Sequence, residues 1–179
     1  MLYKAILGLG NTGAKYKNTY HNVGHQMIDF LLEKNMSLDK TIIAKNEGFM
    51  NESGTSALKV LKKTGGKPED LLVIQDDSDI VLGKYKLSID RSSAGHKGIE
   101  DIINKIGSKN FWRLRIGIRP KEEGNPPSQG PLLRRVSDGQ VGRAKALDFV
   151  LKRIKKENKE ILEKVFEEVS LTLSQSLQQ

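Results

Sequence analysis

A short apolar run, residues 3–7, breaks directly into Gly8-Leu9-Gly10-Asn11-Thr12-Gly13, and this junction constrains the fold more than any other stretch. An apolar run that ends in closely spaced glycines reads as a buried strand leaving its sheet through a tight turn. His21, in Thr19-Tyr20-His21-Asn22-Val23-Gly24, then stands at the mouth of the next helix, so a titratable nitrogen arrives at a strand edge. Gly8, Gly10 and Gly13 also spell the G-x-G-x-x-G of dinucleotide sites. That fingerprint needs a helix opening within the glycines and an acid closing the next strand about 20 residues on. Here the apolar stripe begins only at Val23 and runs through Met27, Ile28, Leu31 and Leu32, which puts Asp29 and Glu33 on the helix. The nucleotide reading is the weaker of the two.

The strand and helix pattern continues downstream. Residues 41–45 form a short strand ending in Asn46-Glu47-Gly48; Ala57, Leu58, Val60 and Leu61 make a helical stripe that stops at Gly65-Gly66. Residues 71–74 are an apolar run of strand length that ends in Gln75-Asp76-Asp77-Ser78-Asp79. Right-handed crossovers gather the segments that leave parallel strands on one edge of the sheet, which would bring Asn11, Asn51 and Asp76 to that edge. Residues 83–87 alternate as a strand with Lys84 and Lys86 on one face. The loop of residues 91–98 leads into a helix marked by Ile99, Ile102, Ile103 and Ile106, so His96 stands at a helix start. In residues 111–118, Leu114, Ile116 and Ile118 share one side and Arg113 and Arg115 the other, before Pro120 ends the strand. Residues 120–142 show no periodicity and read as a long surface loop. Two helices follow, over residues 143–155 with Ala146, Leu147, Val150, Leu151 and Ile154 inward, and from 158 to about 174 with Ile161, Val165, Phe166 and Val169 inward.

A chain of 179 residues fits one domain, and the absence of cysteine removes thiol catalysis, thiolate metal sites and disulfides together. No stretch approaches a membrane span and the N-terminal apolar run is too short for a signal peptide, so a soluble, cytoplasmic protein is expected. The net charge of +8 is unevenly spread. Residues 1–90 carry 12 Lys and Arg against 11 Asp and Glu, whereas residues 91–179 carry 18 against 11. A basic second half is read either as a solvated lysine surface or as the footprint of a polyanion such as RNA.

Five motifs, in order, carry a resemblance. Gly8-Leu9-Gly10-Asn11-x-Gly13-x-x-Tyr16-x-x-Thr19-x-His21-Asn22-x-Gly24 resembles the first signature of bacterial-type peptidyl-tRNA hydrolases. Phe49-Met50-Asn51-x-Ser53-Gly54, Asp76-Asp77-x-Asp79 with Gly83-Lys84, Gly95-His96-x-Gly98 and Arg113-Leu114-Arg115-Ile116-Gly117-Ile118 are similar to the later ones, and Asp148-Phe149-Val150-Leu151 to a C-terminal element. The resemblance implies a single three-layer α/β domain over residues 1–179, with a twisted, mixed, largely parallel sheet flanked by helices. It implies hydrolysis of the ester that joins a peptide to the 3′ end of tRNA, acting as a monomer with no metal or cofactor.

Ester hydrolysis needs an activated water, a group that orients the base, and donors for the developing oxyanion. His21 is the candidate base, since a neutral imidazole with an unperturbed pKa of about 6.5 accepts a proton at cellular pH. By the resemblance, Asp76 holds that imidazole in the useful tautomer. Asn51 would donate its amide to the carbonyl oxygen or position the water, Asn11 would bind substrate near the ester, and His96 would contact the peptide. Tyr16, Met50, Gly95 and Lys97 complete the expected substrate wall, with Tyr16 stacking on a terminal base or packing the loop. Lys84, Lys86, Arg113 and Arg115 are expected on acceptor-stem phosphates, contacts that give affinity without sequence choice. Read without the resemblance, His21 is a cap or packing residue, Asn51 an N-cap, and Asp76-Asp77-Ser78-Asp79 a carboxylate cluster for a divalent cation.

The chain departs from the family pattern at several places. Thr12 stands where proline is usual, Tyr20 where arginine is usual, and Lys97 replaces an asparagine, so that this position can donate hydrogen bonds but not accept them. The segment 34–41 is shorter and the 121–142 loop longer than usual. A catalytically weakened RNA-binding protein on the same scaffold is the alternative to the hydrolase.

Overall fold

The computed structural model describes residues 3–35, 41–120 and 149–176. The first strand, β1 (Ala5–Gly8), is buried along its whole length between two parallel neighbours, β2 (Ile42–Lys45) and β3 (Leu71–Val81). A strand covered on both faces has no polar alternation, which is why it reads as an unbroken apolar run. A fifth strand in chain order, β5 (Trp112–Arg119), pairs parallel with β3, and β4 (Tyr85–Ser88) closes the far edge antiparallel to β5. The sheet order is β2-β1-β3-β5-β4.

Helices cover both faces. On one side α1 (Val23–Glu33) and α4 (Lys156–Ser176) bury Val23, Met27, Ile28, Leu31, Val165 and Phe166 with Ile6, Ile74 and Ile116. On the other, α2 (Ser53–Thr64) and α3 (Lys97–Ile106) bury Ala57, Val60, Leu61, Ile99 and Ile102 with Leu7, Val73 and Phe111. This is the expected α/β arrangement of helix, sheet and helix layers. Among the described residues no helix is long and apolar enough to cross a membrane.

The glycines of the first loop serve close packing. A Cβ on Gly24 would lie 2.4 Å from the Ile74 carbonyl oxygen and 2.5 Å from the Leu9 backbone, so α1 can start against the sheet only with glycine there. A Cβ on Gly8 would meet Gly24 and Ile28, and one on Gly10 the ring of His25. Protein atoms fill the space in front of Gly8 and Gly10, and the helix opens at Val23, as its stripe indicates.

Several boundaries differ from expectation. The third strand continues to Val81 instead of stopping after residue 74, because Asp77 finds Arg115 on β5 and the ladder carries past the carboxylates to an irregularity between Asp77 and Val81. The edge strand starts at Tyr85, so Lys84 sits in the preceding turn, next to Gly83 with φ +86°, rather than on a strand face shared with Lys86. The helix expected over 143–155 does not reach 155: Phe149 and Val150 are helical, Leu151 is 45% exposed, and Arg153 makes an isolated antiparallel bridge to Thr19. Leu32 and Leu58 are exposed rather than inward. The 121–142 loop, residues 143–148 and most of the shortened 34–41 segment lie outside the described residues.

Candidate active site

Three parallel strands deliver the polar residues to one place. In the sheet register Gly8 is beside both Lys45 and Ile74, so Asn11, Asn46 and Asp76 leave β1 and β2 or extend β3 at the same edge. His21 arrives from a 3₁₀ turn, Tyr20–Asn22, that leads into α1. Its Nδ1 lies 2.8 Å from Asp76 Oδ1, and both residues are buried. His96 caps α3, accepting at Nδ1 from the Ile99 N–H at 3.4 Å, and turns its Nε2 to the same Asp76 oxygen at 3.2 Å. The two imidazole rings stand 5.1 Å apart.

The electrostatics follow from burial and pairing. Burial alone would raise the Asp76 pKa, but the charges and hydrogen bonds of His21 and His96 outweigh it and hold the carboxyl far below the usual carboxylate range. Burial alone would lower the His21 pKa, and the Asp76 charge and hydrogen bond reverse that, so the imidazole titrates above its ordinary value. An ionised carboxylate accepts only, which makes Nδ1 the donor and leaves Nε2 of neutral His21 as a free acceptor. His21, Asp76 and His96 are also the group among the described residues that could hold a metal ion, with donor atoms all within 4.8 Å. Asp76, Asp77 and Asp79 do not form such a cluster. Asp77 pairs with Arg115 Nε at 2.7 Å and accepts the Asp79 N–H at 2.8 Å.

Asn11 is locked from three directions. Its N–H donates to Asn22 Oδ1 at 2.9 Å, its carbonyl accepts from Asn22 Nδ2 at 2.8 Å, and its Oδ1 accepts the Met50 N–H at 2.8 Å. Among the described residues its Nδ2 carries no hydrogen bond, so the donor end of the amide stays available. Met50 is itself only 4% exposed, and its contribution to the site is that N–H; its sulfur packs against the start of α3 beside Gly98. Asn51, in the 3₁₀ turn Met50–Glu52, is exposed, and its side chain bonds to nothing among the described residues.

The remaining expected residues separate. Tyr16 is half-buried, edge-on to the exposed Phe49 at 6.5 Å, with Lys15 over its ring. Gly95 is exposed with φ +85°, a left-handed turn that delivers His96, and Lys97 reaches back to Glu100 at 2.9 Å. Lys84 and Lys86 are exposed, and Lys86 lies directly across the β4–β5 ladder from Arg115, whose Nε is held by Asp77. Arg113 does not belong with them. It is 3% exposed, lies over the Phe111 ring, and donates to the carbonyls of Ser92 and Arg91, so its guanidinium ties down a loop and cannot meet a phosphate. Burial and the neighbouring Arg115 push its pKa down to about 10.

A cavity of about 870 Å³ lies on the flank of this cluster, lined by Asn11, Asn22, His25, Asn46, Asp29 and Phe166 among others. His21, Asp76 and His96 do not line it. Asn22 stands in the first signature without an expected role of its own, and His25 and Asn46 lie outside every motif. Asn46 could have been singled out, since it follows β2 as Asn11 follows β1.

Residues 5–179 match the family described as Peptidyl-tRNA hydrolase. A peptidyl-tRNA hydrolase of Sulfurihydrogenibium sp. is 38% identical over 92% of this chain and 85% of its own. One of Dehalococcoides mccartyi is 34% identical over 96% and 91%. The crystal structure of peptidyl-tRNA hydrolase from Acinetobacter baumannii shares the fold, with a TM-score of 0.79 and 23% identity over 99% of this chain and 91% of that one.

Proposed function

The chain belongs to the peptidyl-tRNA hydrolase family, an esterase that splits peptide from tRNA, and from that premise we propose that His21 and Asp76 perform the hydrolysis. Asp76 keeps the Nδ1 hydrogen of His21 engaged, and the opposite nitrogen takes a proton from water as that water attacks the ester carbonyl. The Asp76 carboxylate stabilises the imidazolium that forms, and the same proton then passes to the ribose oxygen as the bond to the peptide breaks. The exposed Asn51 amide and the free Nδ2 of Asn11 are the donors suited to the developing oxyanion and to the substrate beside it. His96, braced on Asp76, and the Tyr16 and Phe49 pair flank the path of the peptide and the terminal base.

Lys84 and Lys86, with Arg115 across the ladder from Lys86, make up the phosphate-binding edge for the acceptor stem. The lack of cysteine suits the cytoplasm. No step calls for a metal.

The observation that carries this reading is the 2.8 Å contact of a buried imidazole with a buried carboxylate at the strand edge. Discharge of N-acetyl-aminoacyl-tRNA by purified protein, with and without chelator, tests it. His21→Ala is expected to lower kcat by at least about 100-fold, and chelator to leave the wild-type rate unchanged. An undiminished rate in the variant removes His21 as the base, and a rate abolished by chelator and restored by a divalent cation assigns the triad to a metal instead.

A further inference from the structure

Two buried polar residues lie beneath the catalytic loop without touching the base or the carboxylate. Asn46, 2% exposed just after β2, donates its N–H to the Gly8 carbonyl at 3.0 Å. Its Oδ1 accepts both the Gly10 N–H and His25 Nε2, each at 2.8 Å. A backbone N–H can only donate, so the Gly10 bond fixes which end of the Asn46 amide faces the loop, and His25 must therefore carry its hydrogen on Nε2. His25 is 8% exposed on α1, and its own N–H holds the Leu9 carbonyl at 3.2 Å. Its ring lies so close over Gly10 that a Cβ there would stand 2.6 Å from it.

Burying this pair has a cost that packing alone does not explain. Asn46 Nδ2 is buried with no partner, and a buried imidazole stands on the flank of the α1 face made of Val23, Met27, Ile28 and Leu31. In return, the end of β2 and the start of α1 are both tied to one peptide unit of the first loop, Leu9-Gly10, through the Gly10 N–H and the Leu9 carbonyl. That peptide directly precedes Asn11, whose N–H and carbonyl are held by Asn22 and whose Oδ1 accepts the Met50 N–H, so the Asn46 and His25 bonds fix the backbone that enters Asn11.

We propose that His25 and Asn46 are positioning residues that set Asn11 for the hydrolytic step, an inference that rests on the reading of the cleft given above. The pair acts through Asn11 and touches no substrate atom. His25→Phe keeps a ring over Gly10 and removes only the donor; His25→Gln returns a donor at about the place of Nε2.

Discharge of N-acetyl-aminoacyl-tRNA is measured for these variants in the wild-type and Asn11→Ala backgrounds. His25→Phe is expected to lower kcat roughly 10- to 100-fold at little-changed KM, with His25→Gln recovering most of the rate. In the Asn11→Ala background His25→Phe is expected to cost nothing further. Should His25→Phe not fold, Asn46→Ala against Asn46→Asp, which keeps the accepting oxygen, gives the same contrast. A loss that multiplies with that of Asn11→Ala, or a lowered melting temperature at unchanged kcat, overturns the pair while leaving the hydrolase reading in place. A wild type without discharge activity removes both.

Discussion

His21 Nδ1 and Asp76 Oδ1 stand 2.8 Å apart although 55 residues of chain separate them, and both side chains are largely buried. The contact raises the basicity of the imidazole against the opposing effect of burial. A base must be neutral to act, so kcat/KM falls as the pH drops through the His21 pKa. The acid limb of the profile is expected above pH 6.5 in the wild type. In Asp76→Asn, where burial acts without the carboxylate, the limb should move below that value and the plateau should fall. A limb that stays in place would detach Asp76 from the base. For stability the linkage has the opposite sense: the raised His21 pKa contributes most below pH 6.5, and that contribution is lost as the pH rises through the folded value.

His25 shows the contrary shift. Burial lowers its pKa, outweighing the Asn46 hydrogen bond, so folding favours the neutral ring. Its contribution is present above the ordinary value of 6.5 and is lost as the pH falls through the depressed one. Urea midpoints followed by circular dichroism are expected to decline below pH 6.5 in the wild type and to decline less in His25→Phe. Parallel curves for the two proteins would show that His25 does not titrate in this window.

Arg113 and the lysines should separate cleanly. Lys84→Ala and Lys86→Ala are expected to weaken binding to all tRNAs alike and to reduce the salt slope by about one unit per lost contact. Arg113→Ala should leave that slope alone and cost about 2 kcal/mol of stability, because a buried guanidinium and the two carbonyls it serves lose each other. Filter binding across a salt series, paired with denaturant melts, reads both. A reduced slope in Arg113→Ala would return that residue to the phosphate face.

Gly24→Ala probes the start of α1. The added methyl would stand 2.4 to 2.5 Å from backbone atoms of Ile74 and Leu9, and neither strand can yield. A loss of about 3 kcal/mol or more is expected from denaturant unfolding. A loss under about 1 kcal/mol would mean that the helix and sheet can part without cost.

The layered fold was legible because its signals are local. Apolar runs at β1 and β3, stripes at α1 and α3, and glycine stops each depend on a few neighbouring residues. The gathering of Asn11, Asn51 and Asp76 on one edge was expected from the handedness of the crossovers, and the register of β1, β2 and β3 puts Asn11 and Asp76 there. What could not be read depends on partners distant in sequence. Alternation put Arg113 and Arg115 on one face of β5, but nothing in the pattern says that the loop at Arg91 and Ser92 covers the first and leaves the second partly open. The extension of β3 depends on Asp77 meeting Arg115, 38 residues on, and the His25 and Asn46 pair spans 21 residues with no periodic signature.

Asp76 sits on a hydrogen-bonded ladder, since β3 runs past it with β5 alongside. Loops fray first when a protein is warmed, whereas freeing Asp76 would require two central strands to come apart. On the roles proposed above, the alignment of His21 thus inherits the rigidity of the sheet, and heat should abolish turnover only where it melts the whole domain.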